Sequence, residues 1–455
     1  MITGSLAAWL ANLSQDQIPG AVGGELRHLA LDTFSVGLRG RHAPWCKAIR
    51  DWAVRDNTLP HGASLWGESG TRLRPSDAAL VNGTAAHSLE LDDFHNAKVH
   101  PGAVIVPTVF AMAQYYRVDS ARLDIALAAG YEIMIRTSLA LSPAETRLRG
   151  WHLTPVCGTL GAAAAASVML GLKPHEIQSA LGLAATQSGG LFAFTLDGSD
   201  SKRLHAGMAA RAGMVSAELA RGGVTGPAYA IEAEDGGMMK AFSDHSDASR
   251  LLLELGGTWH AARTNFKPYS CCGSAHSHVD AAIELRPEWS RGGPVRVGVP
   301  TLVDIQCGYR YEPGSELQAQ MSVRYAVASA LLHGSVLPQD FEEHRRHDPA
   351  AVQLANAIEI VRDADLDKRY PKDFCGWVEV VDRSGAPRKI MNANPSGSAD
   401  NARRHEKLRE KAIVLLNQDC DPDTSEAICD LFLKPARLDI QEILAAAPRQ
   451  EARNA

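Results

Sequence analysis

Apolar residues recur at helical spacing through most of the chain. Leu6, Leu10 and Leu13 open one stripe, and Leu26, Leu29, Leu31, Phe34 and Val36 carry a second. Residues 1–60 therefore read as helical. Residues 61–75 are a Gly-rich connection with a short candidate strand at Ala63–Trp66. Pro75-Ser76-Asp77 has the make-up of a helix start, because Ser or Asp can cap free backbone amides. It predicts a helix from Ala78 to about Leu91, with Asp92–His100 leaving it as a loop. Val104–Tyr116 and Leu123–Leu141 read as apolar helices. An Ala run within 150–171 predicts another, and 175–187 and Ala209–Arg221 two more, the last stopped by Gly222-Gly223.

The pattern changes near Thr264. Residues 265–272 read as a loop and Ala275–Leu285 as a helix. Val295–Val299 and Leu302–Cys307 have the short β-branched character of strands. Ala319–Leu332 and Ala350–Ile360 read as helices. Trp377–Asp382 and Arg388–Met391 pair across Arg383-Ser384-Gly385 as a hairpin. Residues 402–447 return to helices. The fold class expected is mainly α with an α+β domain. A large all-helical domain, discontinuous in sequence (1–265 and 396–455), carries a smaller α+β lid (266–395).

Composition narrows the function. Charged residues make up 22% of 455 and the net charge is −6, with no basic stripe, so nucleic acid is not an expected partner. No run of about 18 uninterrupted apolar residues suggests a membrane span, and the N-terminus lacks the basic and apolar regions of a signal peptide. The eight cysteines form no CxxC pair, which fits a cytoplasmic protein without structural disulfides.

Candidate chemistry gathers in four places. Glu90, Asp92, Asp93, His87, His95 and His100 fall within fourteen residues. His87, Glu90 and Asp93 are three apart, so neighbours among them can share a helix face. Trp151-His152 precedes the Ala-rich helix. Lys202-Arg203-Leu204-His205 forms the third group, and Lys267-Pro268-Tyr269 through Cys272, His276 and His278 the fourth. Acids, imidazoles and cations together suit proton abstraction beside a carboxylate: a cation stabilises the developing enediolate and a His moves the proton. The bland readings are that His87 is structural, Lys202-Arg203 a solvated helix start, His278 a surface residue, and Cys271-Cys272 small loop-packing groups. A metal hydrolase is the competing class, since Glu90, Asp93, His95 and His100 are all competent ligands, but HNAKVH is not a known ligand spacing. A non-catalytic helical dimer is the third reading. GTLG lacks the preceding strand of a nucleotide loop.

Five blocks in order resemble the MmgE/PrpD family: NGTAAHSLELDDFHNAKVHPGAVIVPTVFAMA, GWHLTPVCGTLGAAAAASVMLGL, SDSKRLHAGMAARAGMVSAELARGGVTGP, FKPYSCCGSAHSHVDAAIEL and AQMSVRYAVASALLHGSV. The family includes 2-methylcitrate dehydratase, cis-aconitate decarboxylase and iminodisuccinate epimerase. The resemblance implies a helical domain with an α+β lid, a homodimer, no cofactor, no metal and a small polycarboxylate substrate. Position by position it implies catalytic roles for Glu90, Asp93, His100, His152, Lys202 and His276. Here Glu90 stands where the family has Asp, and Phe94 where a Thr is common. His95, Arg203, His205, Lys267, Tyr269 and Cys272 are the expected substrate-binding residues. The expectation is a hydro-lyase, with an epimerase, isomerase or decarboxylase of a similar polycarboxylate as the alternative.

Overall fold

A computed structural model describes residues 1–55, 57–434, 438–447 and 450–451, the last two as backbone only. The expected helices at 435–437 and the tail beyond 451 lie outside the described residues. Nine helices position the site: α1 (Gly20–Gly40), α2 (Pro75–Ala86), α3 (Gly102–Tyr116), α4 (Ser120–Ala140), α5 (Leu153–Leu170), α6 (Ser201–Arg221), α7 (His276–Leu285), α8 (Val323–His333) and α9 (Arg404–Leu416).

The Ala-rich α5 is the axis of the helical layer. Its alanines and Gly158 and Gly161 let α4 and α6 pack directly against it. It is 18 residues long and apolar enough, by length and composition, to cross a membrane, contrary to expectation. Its residues Leu153 to Met169 are nevertheless all buried against protein. Close approach recurs where α6 crosses α2. A Cβ on Gly207 would stand 2.2 Å from the Leu80 carbonyl, so only glycine fits.

One apolar cluster takes residues from Leu6 through Phe266 and again from Leu408 through Ala447. A second draws on Phe192, Phe194 and residues between Cys271 and Val380. The second surrounds a four-stranded mixed sheet of β1 (Val295–Val299), β2 (Glu359–Arg362), β3 (Gly376–Val381) and β4 (Pro387–Asn392). Its order is β2-β1-β3-β4; β2 is parallel to β1 and the other pairs are antiparallel. The expected hairpin is β3–β4, turned at Gly385 with φ 89°. Helix α7 packs on β3 and β4.

Several local expectations fail; Ala319–Leu332, for one, is not a single helix but breaks at residues 321–322, between Glu316–Gln320 and Val323–His333. Helix α2 stops at Ala86 rather than Leu91, because Ser88 takes the Thr84 and Ala85 carbonyls and Glu90 turns left-handed, φ 51°. His87, Glu90 and Asp93 thus share no helix face. Thr301–Cys307 is a helix, not a strand; Val303 and Cys307, four apart, are its buried face. The helix expected to Ile360 ends at Ala357, and β-branched Ile360 and Val361 enter β2. Helix α6 begins at Ser201, so Lys202 and His205 share a face of its first turn.

Candidate active site

The loop from His87 to Pro101 is almost wholly buried. It lies between α2, the loop at residues 265–272 and α9. Phe94 bridges Asn265 through paired backbone hydrogen bonds, at 3.0 and 2.8 Å, which ties the loop to the 265–272 segment. The pocket beside it spans about 580 Å³, open mouth included. Glu90, Phe94, His95, Lys98, His100, Arg147, His152, Lys202 and Cys272 are among its walls.

Three imidazoles line it, His95, His100 and His152, and each has its Nδ1 hydrogen-bonded; His95 Nδ1 accepts from Ala97 N at 3.0 Å. His100 Nδ1 is 2.9 Å from the Asp93 carbonyl and 3.4 Å from Asp92 Oδ2. A carbonyl only accepts, so Nδ1 carries a proton and Nε2 is the ring nitrogen left to the pocket. His152 Nδ1 is 2.9 Å from His205 Nδ1, so one of these rings donates to the other. Burial pushes His152 well below the usual imidazole value, and His205 to about 4, with the neighbouring His205 and Lys202 adding to each. Both rings are neutral at ordinary pH.

Asp92 organises the imidazoles. His87 Nδ1 donates to Asp92 Oδ2 at 2.7 Å, and the His87 ring lies 4.8 Å from His100 and 6.1 Å from His152. Burial pushes His87 to about 3. The bland reading of His87 is therefore incomplete: it is buried, but inside the site.

Glu90 touches Lys202 directly, and its other oxygen is 3.2 Å from Lys267 Nζ. Lys267 is also 3.6 Å from Asp92 Oδ1. Burial and then Lys267 push the Lys202 amine well down, with Cys272 acting the other way. Lys202 is not a solvated helix start; it is 3% exposed.

Several expected residues stand elsewhere. The Asp93 carboxylate faces away from the pocket, accepting from Gly102 N and Tyr131 Oη, each at 2.8 Å. Burial, then Asp32 and Asp92, raise it to about 7. Asp92, not Asp93, is the acid beside the imidazoles. His276 is absent from the pocket wall; its Nε2 lies 3.2 Å from the Cys271 carbonyl and its ring packs near Phe94 and Tyr269. Arg203 stacks over Trp45 and binds the Ser88 carbonyl and Asp200, so it braces α6 rather than the pocket. Tyr269 gives its hydroxyl to Asp280 and faces another groove. Lys267 and His205 stand behind the wall, supporting Glu90 and His152. His95 and Cys272 do line the pocket. A hydrogen bond from Cys307 pulls the Cys272 thiol well down. His278 is buried on the Gly298 carbonyl, not at the surface. Sequence reasoning missed Lys98, Arg147, Phe192, Gln306 and Phe374; they lie outside the four groups or carry no motif.

His87, Asp92 and His100 place ligand-type atoms within 4.8 Å of one another, as do Glu25, His28 and His405. Lys267 occupies the free side of Asp92, and Arg404 binds Glu25 at 2.9 Å, so each set already holds a cation.

Fold and site define a mainly helical protein in which imidazoles and amines from several separate segments gather around one small pocket. The chain belongs to the MmgE/PrpD family: residues 4–251 match the MmgE/PrpD N-terminal domain and 269–434 the C-terminal domain. It is 31% identical to the cis-aconitate decarboxylase-like protein oryM of Aspergillus oryzae, over 98% of this chain and 96% of that one. It is 28% identical to cis-aconitate decarboxylase of Aspergillus terreus (97% and 95% covered) and 27% to that of Homo sapiens (85% and 81%).

Proposed function

We propose that this protein is a cofactor-independent lyase of small di- or tricarboxylates, working by proton transfer next to a carboxylate. The observation that carries it is the pair of imidazoles, His100 and His152, each anchored at Nδ1, on one wall with Lys202. His100 Nε2 takes the proton from the carbon. The bond's electrons enter a carboxylate-stabilised enediolate, which Lys202 faces. The Asp92 carboxylate offsets the charge on His100. Transfer of that proton from His100 to a β-hydroxyl, and loss of water, complete a dehydration, with neutral His152 hydrogen-bonding the substrate beside it.

Decarboxylation is the second reading, favoured by the relatives named cis-aconitate decarboxylase. There an imidazolium gives a proton to the alkene carbon. The alkene pair forms that C–H bond, and the electrons of the breaking C–CO₂ bond form the new double bond. Phe94 at the position where Thr is common leaves no hydroxyl there. We also propose that residues 1–265 and 396–455 form one domain beneath a lid of 266–395, and that the protein is a cytoplasmic homodimer.

Proton NMR in D₂O with citrate-, malate- and aconitate-type acids tests the reading. Deuterium uptake with a new or lost vinyl signal supports a lyase; released CO₂ selects decarboxylation. Uptake with no vinyl change makes the protein an epimerase or isomerase instead. His100→Ala and Lys202→Ala should each lower kcat by about 10²-fold or more with folding retained. Normal turnover by both would remove this site.

A further inference from the structure

Two basic side chains on the pocket wall have no carboxylate partner among the described residues. Glu90 is the one carboxylate on its walls among the described residues, facing Lys98, Arg147 and Lys202. Glu90 and Asp92 already have Lys202 and Lys267 in contact with them. That leaves Lys98 and Arg147. Neither has a carboxylate partner among the described residues. Lys98 Nζ donates to the Tyr370 hydroxyl at 2.6 Å and sits 4.6 Å from that ring's centre. The Arg147 guanidinium lies 3.3 Å over the Phe192 ring, and its Nε is buried without a hydrogen-bond partner. Burial lowers it only to about 10, so it stays a cation at neutral pH.

Both cations are held in place before any ligand arrives. Lys98 is in the left-handed region, φ 62°, at the tight turn between His95 and Val99. Arg147 is on the short helix Pro143–Leu148, and Phe192 fixes the plane of its fork. Lys98 and Arg147 both line the same pocket. An unpaired, partly buried guanidinium stacked on an aromatic ring suits bidentate binding of a carboxylate.

We propose that Arg147 and Lys98 form a subsite for a substrate carboxylate remote from the reacting carbon. The substrate would then carry at least two carboxylates: one at the imidazoles and Lys202, one at this subsite. The proposal rests on the proton-transfer reading of the pocket above and adds the residues that select for a second anionic group. Arg147 acts here as a specificity-determining residue through direct contact with substrate.

Calorimetry with tricarballylate, a saturated tricarboxylate, tests it on the full chain. Wild type should bind, and Arg147→Met and Lys98→Met should each weaken binding about tenfold or more with an unchanged circular dichroism spectrum. Arg147→Lys should recover only part of the loss, because an ammonium lacks the fork. Arg149→Met removes a nearby charge that is paired with Asp244, and should bind as wild type does. On a substrate that is turned over, Arg147→Met should raise KM by a larger factor than it lowers kcat. Unchanged tricarballylate affinity in both Arg147→Met and Lys98→Met overturns the subsite and leaves the proposed function standing. An equal loss in Arg149→Met overturns it too, since the effect would then be a long-range field. If wild type binds neither tricarballylate nor cis-aconitate, the proposed function falls and the subsite with it.

Discussion

At the scale of single residues, neighbouring acids do different work. Asp92 faces His87, His100 and Lys267, whereas Asp93 accepts from Gly102 N and Tyr131 Oη on the other side of the loop. A Cβ at Gly102 would stand 2.9 Å from the Asp93 carboxylate oxygens, so that close seat needs a glycine. Burial raises Asp93 to about 7, above its ordinary 3.8, so the native state holds its proton more tightly than the unfolded chain. Its contribution to stability is therefore lost as pH rises from about 4 to 7. Asp93→Asn keeps the shape without the ionisation. Thermal unfolding of both proteins across that window should show the variant gaining on wild type as pH rises; a constant difference would mean that Asp93 is ionised throughout. His87, His95 and His276, each pushed to about 3 chiefly by burial, act in the opposite sense. They cost stability as pH falls below the ordinary imidazole value, since the unfolded state then binds more protons.

At the scale of elements, the site depends on close contacts between helices and loop. Gly207 lets α6 approach α2, and α6 carries Lys202 and His205. Gly207→Ala should destabilise by about 1–3 kcal/mol through overpacking against the Leu80 carbonyl. Urea unfolding measures it, and an unchanged midpoint would show that the helices can separate freely. Lys411 on α9 ties three pieces together. Its Nζ is 2.5 Å from Asp32 Oδ1, 2.6 Å from the Leu91 carbonyl and 2.9 Å from the Lys267 carbonyl. Lys411→Met leaves Asp32, 0% exposed, without its cation, and should cost about 3–5 kcal/mol. Burial already raises Asp32 to about 6 with Lys411 opposing, so the variant should recover part of its stability at pH 5. The hairpin was legible because Gly385 marks its turn, whereas α2 begins at Pro75 without a Ser or Asp cap and α6 begins at Ser201, eight residues before the expected start. The end of α2 was not legible: its stop is set by Ser88 hydrogen bonds and by Glu90 turning left-handed to reach Lys202 and Lys267. Thr301–Cys307 has the composition of a strand, and the second apolar cluster makes it a helix by burying Val303 and Cys307.

At the scale of the whole molecule, the pocket is assembled from segments far apart in the chain. The loop at 87–101, the starts of α5 and α6, residues 272–274, and Gln306, Met321 and Phe374 all reach it. Segments adjoining the sheet supply Cys272, Ser274 and Phe374 to its wall. The metal-hydrolase alternative is testable at this scale. His87, Asp92 and His100 cluster, but the Lys267 ammonium already sits at Asp92 and would repel a second cation. Dialysis against a strong chelator should leave turnover intact; loss of turnover, restored by a divalent metal, would reverse that argument.

By itself the sequence determined the helical class, the α+β segment, the hairpin and the four groups of reactive side chains. Periodicity, turn residues and the crowding of ionisable groups are local properties, and local properties can be read along a chain. Five ordered blocks also determined the family. The tertiary structure alone decided which side chain faces which. It turned Asp92 rather than Asp93 toward the imidazoles, set His276 off the pocket wall, and brought Arg147 and Lys98 to it. Those outcomes depend on close packing between residues tens to hundreds of positions apart. The direction of a buried carboxylate follows from the donors that packing brings to it, and a linear pattern does not contain those donors.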